Sequence, residues 1–368
     1  SVDYRSMSLI QNAEVGDLLA RYYPAVQGTP GRDVTGGSQK GVVYKELRPL
    51  AGKGISNEKN PNEYYAVKAG KIEYDGDNKL SIVEVHEIQG DCDLASNAVI
   101  DFNGDVVING NVEAGVVINA GKSLTVEGVV ESATITAGGD VCLKRGMQGA
   151  GKGSITAGGD VFTEFLEYTT VKTKGNVQAN VILNSQVSAD QKVTLTGKKG
   201  LIAGGSVHGM LGISCITAGN MSEIRTGLHV GLKQEMMEQR IDVNERYSKV
   251  NQELEDTVAS MAKIMRVRQQ SGELSEPLQK HLVELKRRKD EIYTRCMEIK
   301  KEANAMESMV LAAREAKIRV EGNIYHGVVI SIDNHDMVIN RDTSFMEYQC
   351  QNCLLYTSPS PRDQRGSR

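Results

Sequence analysis

One feature limits what this chain can become more than any other. A glycine-led turn returns at uneven intervals, each time followed by a short apolar alternation. Gly90-Asp91, Gly104-Asp105, Gly121-Lys122, Gly139-Asp140, Gly159-Asp160, Gly175-Asn176, Gln191-Lys192, Gly205-Ser206 and Gly219-Asn220 mark it. Their second residues lie 14, 17, 18, 20, 16, 16, 14 and 14 positions apart. Two copies are identical over seven residues, Ile135–Val141 and Ile155–Val161, both reading Ile-Thr-Ala-Gly-Gly-Asp-Val. Between the turns lie period-two runs such as Val106-Val107-Ile108 and Leu124-Thr125-Val126, which are half-buried strands. Short strands joined by glycine turns at this spacing fit the coils of a parallel β-solenoid, in which each rung pairs with the next. Proline cannot donate to such a ladder, and none occurs between Pro61 and Pro277. The strict six-residue beat of a hexapeptide-repeat solenoid is absent. A sandwich would need longer strands and hairpin turns. Nine turns at about 4.8 Å predict a rod of roughly 40 Å.

From Leu232 the grammar changes. Glycine disappears until Gly272, and residues 232–318 hold 17 basic and 16 acidic side chains. Met236, Val243, Tyr247, Val250, Leu254, Met261 and Ile264 follow a 3-4 spacing; Leu278, Leu282, Leu285, Ile292, Cys296, Ile299, Ala303, Met306 and Val310 repeat it, broken only at Lys289. These are coiled-coil seams. Ser271-Gly272 supplies the turn and Ser275 with Pro277 opens a second helix. Two helices of about 38 residues make an antiparallel hairpin of roughly 57 Å. Strand grammar resumes at Arg319-Val320-Glu321-Gly322-Asn323-Ile324 and Val328-Val329-Ile330. The expected class is therefore mainly β: a single-stranded parallel β-helix with an inserted α-helical coiled-coil hairpin. The expected boundaries are an N-terminal β-rich capping domain at 1–88, parallel β-helix at 89–231, hairpin at 232–318 and last rungs at 319–352. Within 1–88, strands at Lys71–Tyr74 and Leu80–Val85 flank the turn Asp75-Gly76-Asp77-Asn78. That unit is expected to cover the open first rung.

The ends are set apart. The chain opens at Ser1 without Met and reads as N-terminally truncated. Cys353 to Asp363, eleven residues, matches the translation of a transposase sequencing adapter, so 353–368 is treated as non-native. Cys350-Gln351-Asn352-Cys353 is then a spurious CxxC. Cys92, Cys142, Cys215, Cys296 and Cys350 are scattered, and buried free thiols in a reducing compartment are expected. A net charge of −4 carries no signature of a dedicated nucleic-acid binder, and no apolar run reaches the roughly 18–20 residues of a transmembrane helix.

A family likeness rests on these residues. The run from Pro24 through Gly28-Thr29-Pro30-Gly31-Arg32-Asp33-Val34 to Gly36 resembles the N-terminal region of the flagellar assembly protein A family. The chained Ala-Gly-Gly-Asp-Val turns, the stretch Gly197-Lys198-Lys199-Gly200-Leu201-Ile202-Ala203-Gly204-Gly205 and the coiled-coil insertion resemble it too, over about 3–340. The resemblance implies a right-handed β-helix plus coiled coil, in a cytoplasmic bacterial protein linked to flagellar assembly. It carries over no catalytic residues.

Other motifs have plainer readings. Gly146-Met147-Gln148-Gly149-Ala150-Gly151-Lys152-Gly153 nearly spells a phosphate-binding loop, but Gly153 stands where a hydroxyl would hold Mg²⁺, and a strand follows where a helix is required. A glycine-rich bulge between rungs is the expectation. Asp105, Asp140 and Asp160 could be carboxylates for calcium or glycan cleavage; turn chemistry explains them, their oxygens accepting local backbone N–H groups. His86, His208, His229, His281, His326 and His335 show no metal-ligand spacing, although His326 and His335 could meet across a turn. Lys286, Arg287, Arg288 and Lys289 form a basic run, either a solvated helix face or a partner-docking patch. The leading expectation is a non-enzymatic cytoplasmic scaffold without cofactor or metal, docking protein partners through hairpin and solenoid faces. A self-associating, polymer-forming solenoid and a glycan-active β-helix enzyme are the alternatives.

Overall fold

The computed structural model describes residues 11–359 apart from 27, 33, 42, 43, 75–77, 274, 334, 352 and 353, and side chains as far as 350. The solenoid has three faces, visited in the same order in every coil. On the first face Val85–Ile88, Asp105–Ile108, Leu124–Val126, the starts of Val141–Ala157 and Val161–Thr173, then Val177–Ala179, Lys192–Leu195, Gly212–Cys215 and Lys317–Ile324 pair in parallel. These are nine stacked strands, hence about eight turns. The third face is a second parallel ladder, running from Val99–Phe102 through Val117–Ala120 and Thr134–Ala137 to Thr226–Val230 and Val328–Ile332. The second face is narrower and begins as isolated bridges joining Cys92, Val112 and Val130.

Alternation within each face explains the core. Val106, Leu124, Val141, Val161, Val177, Val193, Ile213 and Ile318 stack in register on the first face, and Ile100, Ile118, Ile135, Ile155, Val171, Val187 and Val207 do so on the third. All are buried. Each contributes about 1.5–3 kcal/mol by leaving water. Glycine is needed where coils approach closely: a Cβ at Gly158 would meet the Gly138 carbonyl of the coil before. At the corner between second and third faces, Tyr168 and Asn184 take left-handed φ of 47°, with Gly204 following at 78°. Thr169, Ser185 and Thr226 line that corner, each hydroxyl donating to a carbonyl two residues back. The Ser185 and Thr226 oxygens also accept N–H bonds from neighbouring coils, at 3.1 Å from Thr169 and 2.8 Å from Gly204, so these buried hydroxyls are satisfied.

The register corrects the repeat count. The corner before the first face is occupied successively by Asp105, Ser123, Asp140, Asp160, Asn176 and Lys192. Lys122 sits one residue early, opposite Gly104. Asp91 belongs to a different corner, before Cys92, where its Oδ1 accepts the Asn111 N–H at 2.6 Å. Ser206 lies within the third face, opposite Gln186 and Gly227, and Asn220 in the turn ahead of that face. Gly-Asp pairs thus mark more than one corner, and their uneven spacing mixes corner identity with true coil length.

The helices leave from the corner that follows the third face. Helix α1 spans Gln234–Ser271 and α2 spans Glu276–Arg314. Ile213 pairs with Ile318, 105 positions on. Removing the 85 residues of 232–316 from that coil leaves 20, the same step as Val193 to Ile213. The hairpin is therefore inserted into one ordinary coil. The expected seam residues are buried or half-buried, including Lys289; Thr257 also packs there, its hydroxyl donating to the Glu253 carbonyl at 2.8 Å.

Both ends of the stack differ from its middle. At the far end the ladder turns antiparallel: Thr343–Gln351 lies on Lys317–Ile324, and His335–Val338 on Val328–Ile332. Glu347, 7% exposed, bonds Lys317 at 2.9 Å and Arg319 at 2.7 Å. Burial pushes its carboxyl up, but the bonds from Lys317 and Arg319 override that and hold it below its ordinary value. The backbone of Leu354–Pro359, inside the adapter-like run, pairs antiparallel with Thr343–Gln351. At the near end Gly70–Tyr74 and Leu80–Val83 form the expected hairpin, its turn at 75–77 lying outside the described residues. The N-terminal sheets stay separate from the solenoid ladder. They contact the first coil through Asn12 Nδ2 to the Asp101 carbonyl (3.0 Å), Asn103 Nδ2 to the Ala13 carbonyl (2.8 Å) and the Lys68–Glu84 pair (2.7 Å).

Candidate docking surface

The hairpin is a large departure from the rod. Its root is a small apolar cluster of Met210, Leu232, Val310 and Ala313, which seats both helix ends on the solenoid. Lys233 Nζ reaches Asp190 at 3.1 Å beside it. His208 Nε2 meets the Gly231 carbonyl at 3.0 Å, which requires the N–H tautomer there. Burial, helped by the Lys233 charge, lowers the His208 pKa to about 4, so the ring is neutral. From this root α1 projects about 57 Å.

The basic run is partly consumed by the hairpin itself. Arg288 bonds Glu253 across the hairpin at 2.9 Å, and Arg295 takes the other Glu253 oxygen at 2.6 Å. Arg287 pairs with Glu291 at 3.5 Å and Lys289 with Asp290 at 3.1 Å. Lys286 is exposed and takes no ion pair among the described residues. The four side chains therefore do not form one free cationic patch; charge neutralisation by neighbours explains why a run of like charges is tolerated.

The other candidates resolve into structural roles. Asp160 Oδ1 accepts the Asn176 N–H of the next coil at 2.7 Å, and Asp140 Oδ1 accepts the Asp160 N–H at 2.7 Å. Asn176 Oδ1 passes the pattern to Lys192 N at 3.2 Å. The aspartates thus form a ladder between coils and do not close bonds within a single turn, as their Gly-Asp setting suggests. Residues 149–152 form a bulge between Gln148 and Gly153 of one long strand, with Ala150 at φ 45° and Lys152 exposed. No helix opens there, so the arrangement that cradles phosphate is absent at this loop.

His326 does not pair with His335. Its Nδ1 lies 2.9 Å from Asp342 and its Nε2 2.9 Å from Glu223, and these partners raise its pKa. His335 Nδ1 contacts the Asp333 carbonyl. Burial raises the Cys92 thiol to about 11 and Cys215 to about 12, which keeps both unreactive at neutral pH. Cys296 is buried; Cys142 and Cys350 are half-buried. No group of three or more His, Cys, Asp or Glu is arranged to hold a metal among the described residues, and none of their helices is long and apolar enough to cross a membrane.

Fold and surface together define a parallel β-solenoid that presents a helical hairpin. The chain belongs to the flagellar assembly protein A family: the model of its β solenoid domain matches residues 84–352, and that of its N-terminal region matches 1–78. No curated protein and no solved structure matches the chain.

Proposed function

We propose that this protein is a non-enzymatic scaffold of the cytoplasm that serves flagellar assembly or its regulation by docking protein partners on the hairpin and the solenoid faces. Family membership supports the flagellar setting. The observation that carries the mechanism is the 105-residue coil, which would close at ordinary length without its two helices. A coil that needs no such insertion to stack leaves the hairpin free to serve recognition.

The test is to replace 233–316 by a short Gly-Ser linker in the natural full-length protein and count flagella per cell. The expected result is normal protein level with flagellation lost or misregulated. Normal flagellation would overturn the reading.

A further inference from the structure

The two flanks of the hairpin differ in kind. At 100° per residue, Arg246 and Glu253 on α1 and Arg288, Arg295 and Glu302 on α2 all lie about 70–80° to one side of the seam. Their ion pairs lace that flank: Arg246–Glu302 at 3.1 Å, Glu253–Arg288 at 2.9 Å and Glu253–Arg295 at 2.6 Å. On the opposite flank, the same construction places Val258 and Met265 of α1 and Val283, Tyr293 and Met297 of α2, about 70–140° from the seam. All five are between 44% and 67% exposed. Arg240–Glu307, at 3.1 Å, closes the root end of this apolar flank. Lys286 and Lys300 stand one heptad to either side of Tyr293 on α2, about 70–80° from the seam, both exposed and without an ion pair among the described residues; Asp290, farther out on the same flank, is paired with Lys289 at 3.1 Å.

Resting on the docking reading above, we propose that this flank receives one amphipathic helix of a partner protein, with an apolar stripe toward the groove and acidic residues along one margin. Packing a third helix between two is ordinary helix-in-groove recognition, and apolar anchors at helical spacing are its mark. The two unpaired lysines set the charge of the partner's margin. Their separation of 14 residues, about 21 Å, corresponds to a four-turn helix. Size argues against a second copy as the occupant. A strip about 21 Å long and two helices wide offers roughly 400 Å² a side, or about 800 Å² in all, below the roughly 1,200–2,000 Å² of a stable protein pair. A transient partner fits that area.

The experiment uses the whole chain and a fluorescein-labelled synthetic 18-residue helix with a leucine stripe and glutamate margins, read by anisotropy at low salt. Saturable binding is expected. Tyr293→Glu with Met297→Glu should weaken it at least tenfold, while Val267→Glu on the laced flank should change it less than twofold. A lysine-margined peptide should bind at least fivefold more weakly, and Lys286→Glu with Lys300→Glu should reverse that preference. Helix content by circular dichroism checks that the variants fold. Absence of binding, or equal loss on both flanks, overturns the proposal. So does a wild-type dimer in sedimentation velocity that dissolves in the Tyr293→Glu, Met297→Glu variant, since the occupant is then a second copy. In cells, hairpin replacement that abolishes flagella while Tyr293→Glu, Met297→Glu leaves them intact defeats this inference and spares the docking reading. Intact flagella in both strains defeat the docking reading as well.

Discussion

Changing Asp160 to asparagine and, separately, to alanine tests whether the repeated aspartates serve stacking or chemistry. Asp160 Oδ1 accepts the Asn176 N–H at 2.7 Å and the Asn176 amide at 3.1 Å, both from the next coil. Asparagine retains an acceptor of the same shape, and the ladder already uses one at Asn176, whose Oδ1 takes the Lys192 N–H at 3.2 Å. Asp160→Asn should therefore leave stability within about 0.5 kcal/mol, the ordinary range for substitutions without a disruptive mechanism. Asp160→Ala removes two bonds, one of them to backbone. At about 0.5–1.5 kcal/mol per bond, softened because water reaches this corner, the expected loss is about 1–2 kcal/mol. Urea unfolding followed by circular dichroism reads both variants, with the slope checked for constancy. If asparagine costs as much as alanine, the carboxylate charge matters and the stacking account of these residues fails. An alanine variant as stable as the wild type would show that the ladder contributes nothing.

Other outcomes follow from the same structure. Ile155→Ala, in the buried third-face column between Ile135 and Val171, should cost about 2–5 kcal/mol, whereas an exposed neighbour such as Thr156→Ala should cost little; equal midpoints would contradict the column. His326 has its pKa raised by Asp342 and Glu223, so the stability it lends is complete below the unfolded value near 6.5 and is lost as pH rises through the higher folded value. Histidine titration by NMR should place it above 6.5, and His326→Ala should flatten stability across neutral pH; an unshifted ring refutes the clasp. His208 acts oppositely: with a folded pKa of about 4, its contribution is full above about 6.5 and declines as pH falls toward 4. Lys152→Ala should leave calorimetric titration with ATP and Mg²⁺ silent, as in the wild type; micromolar binding lost in the variant would restore the phosphate-loop reading.

Much of the architecture is legible because inward and outward residues alternate within each face and because the hairpin seam keeps its 3-4 beat. Coil register is less legible. Gly-Asp appears at one corner, while another is made by Tyr168 and Asn184 in left-handed conformations that no composition signals. The strands Val141–Ala157 and Val161–Thr173 run through more than one face without a glycine-aspartate break. At the hairpin, the basic run draws the eye, yet Arg288 is spent on Glu253. The apolar flank escapes notice because Tyr293 and Met297 each directly follow a buried seam residue, Ile292 and Cys296, and apolar residues beside a seam do not by themselves show that their face is left uncovered. Thr257 escapes for the converse reason: its hydroxyl is satisfied within α1, so a polar residue can occupy a buried position.

Amide hydrogen exchange on the 233–316 replacement shows whether the hairpin is inserted into a coil that stacks without it. The register of Ile213 on Ile318 and of Thr226 on Val328 spans the insertion. Each rung touches only its neighbours, so these strands should keep wild-type protection when the helices are gone. Unchanged protection across 212–230 and 317–332 is the predicted result. Rapid exchange there, with the coils before Gly209 still protected, would mean that the hairpin holds the last rungs in place and is not a separable insertion.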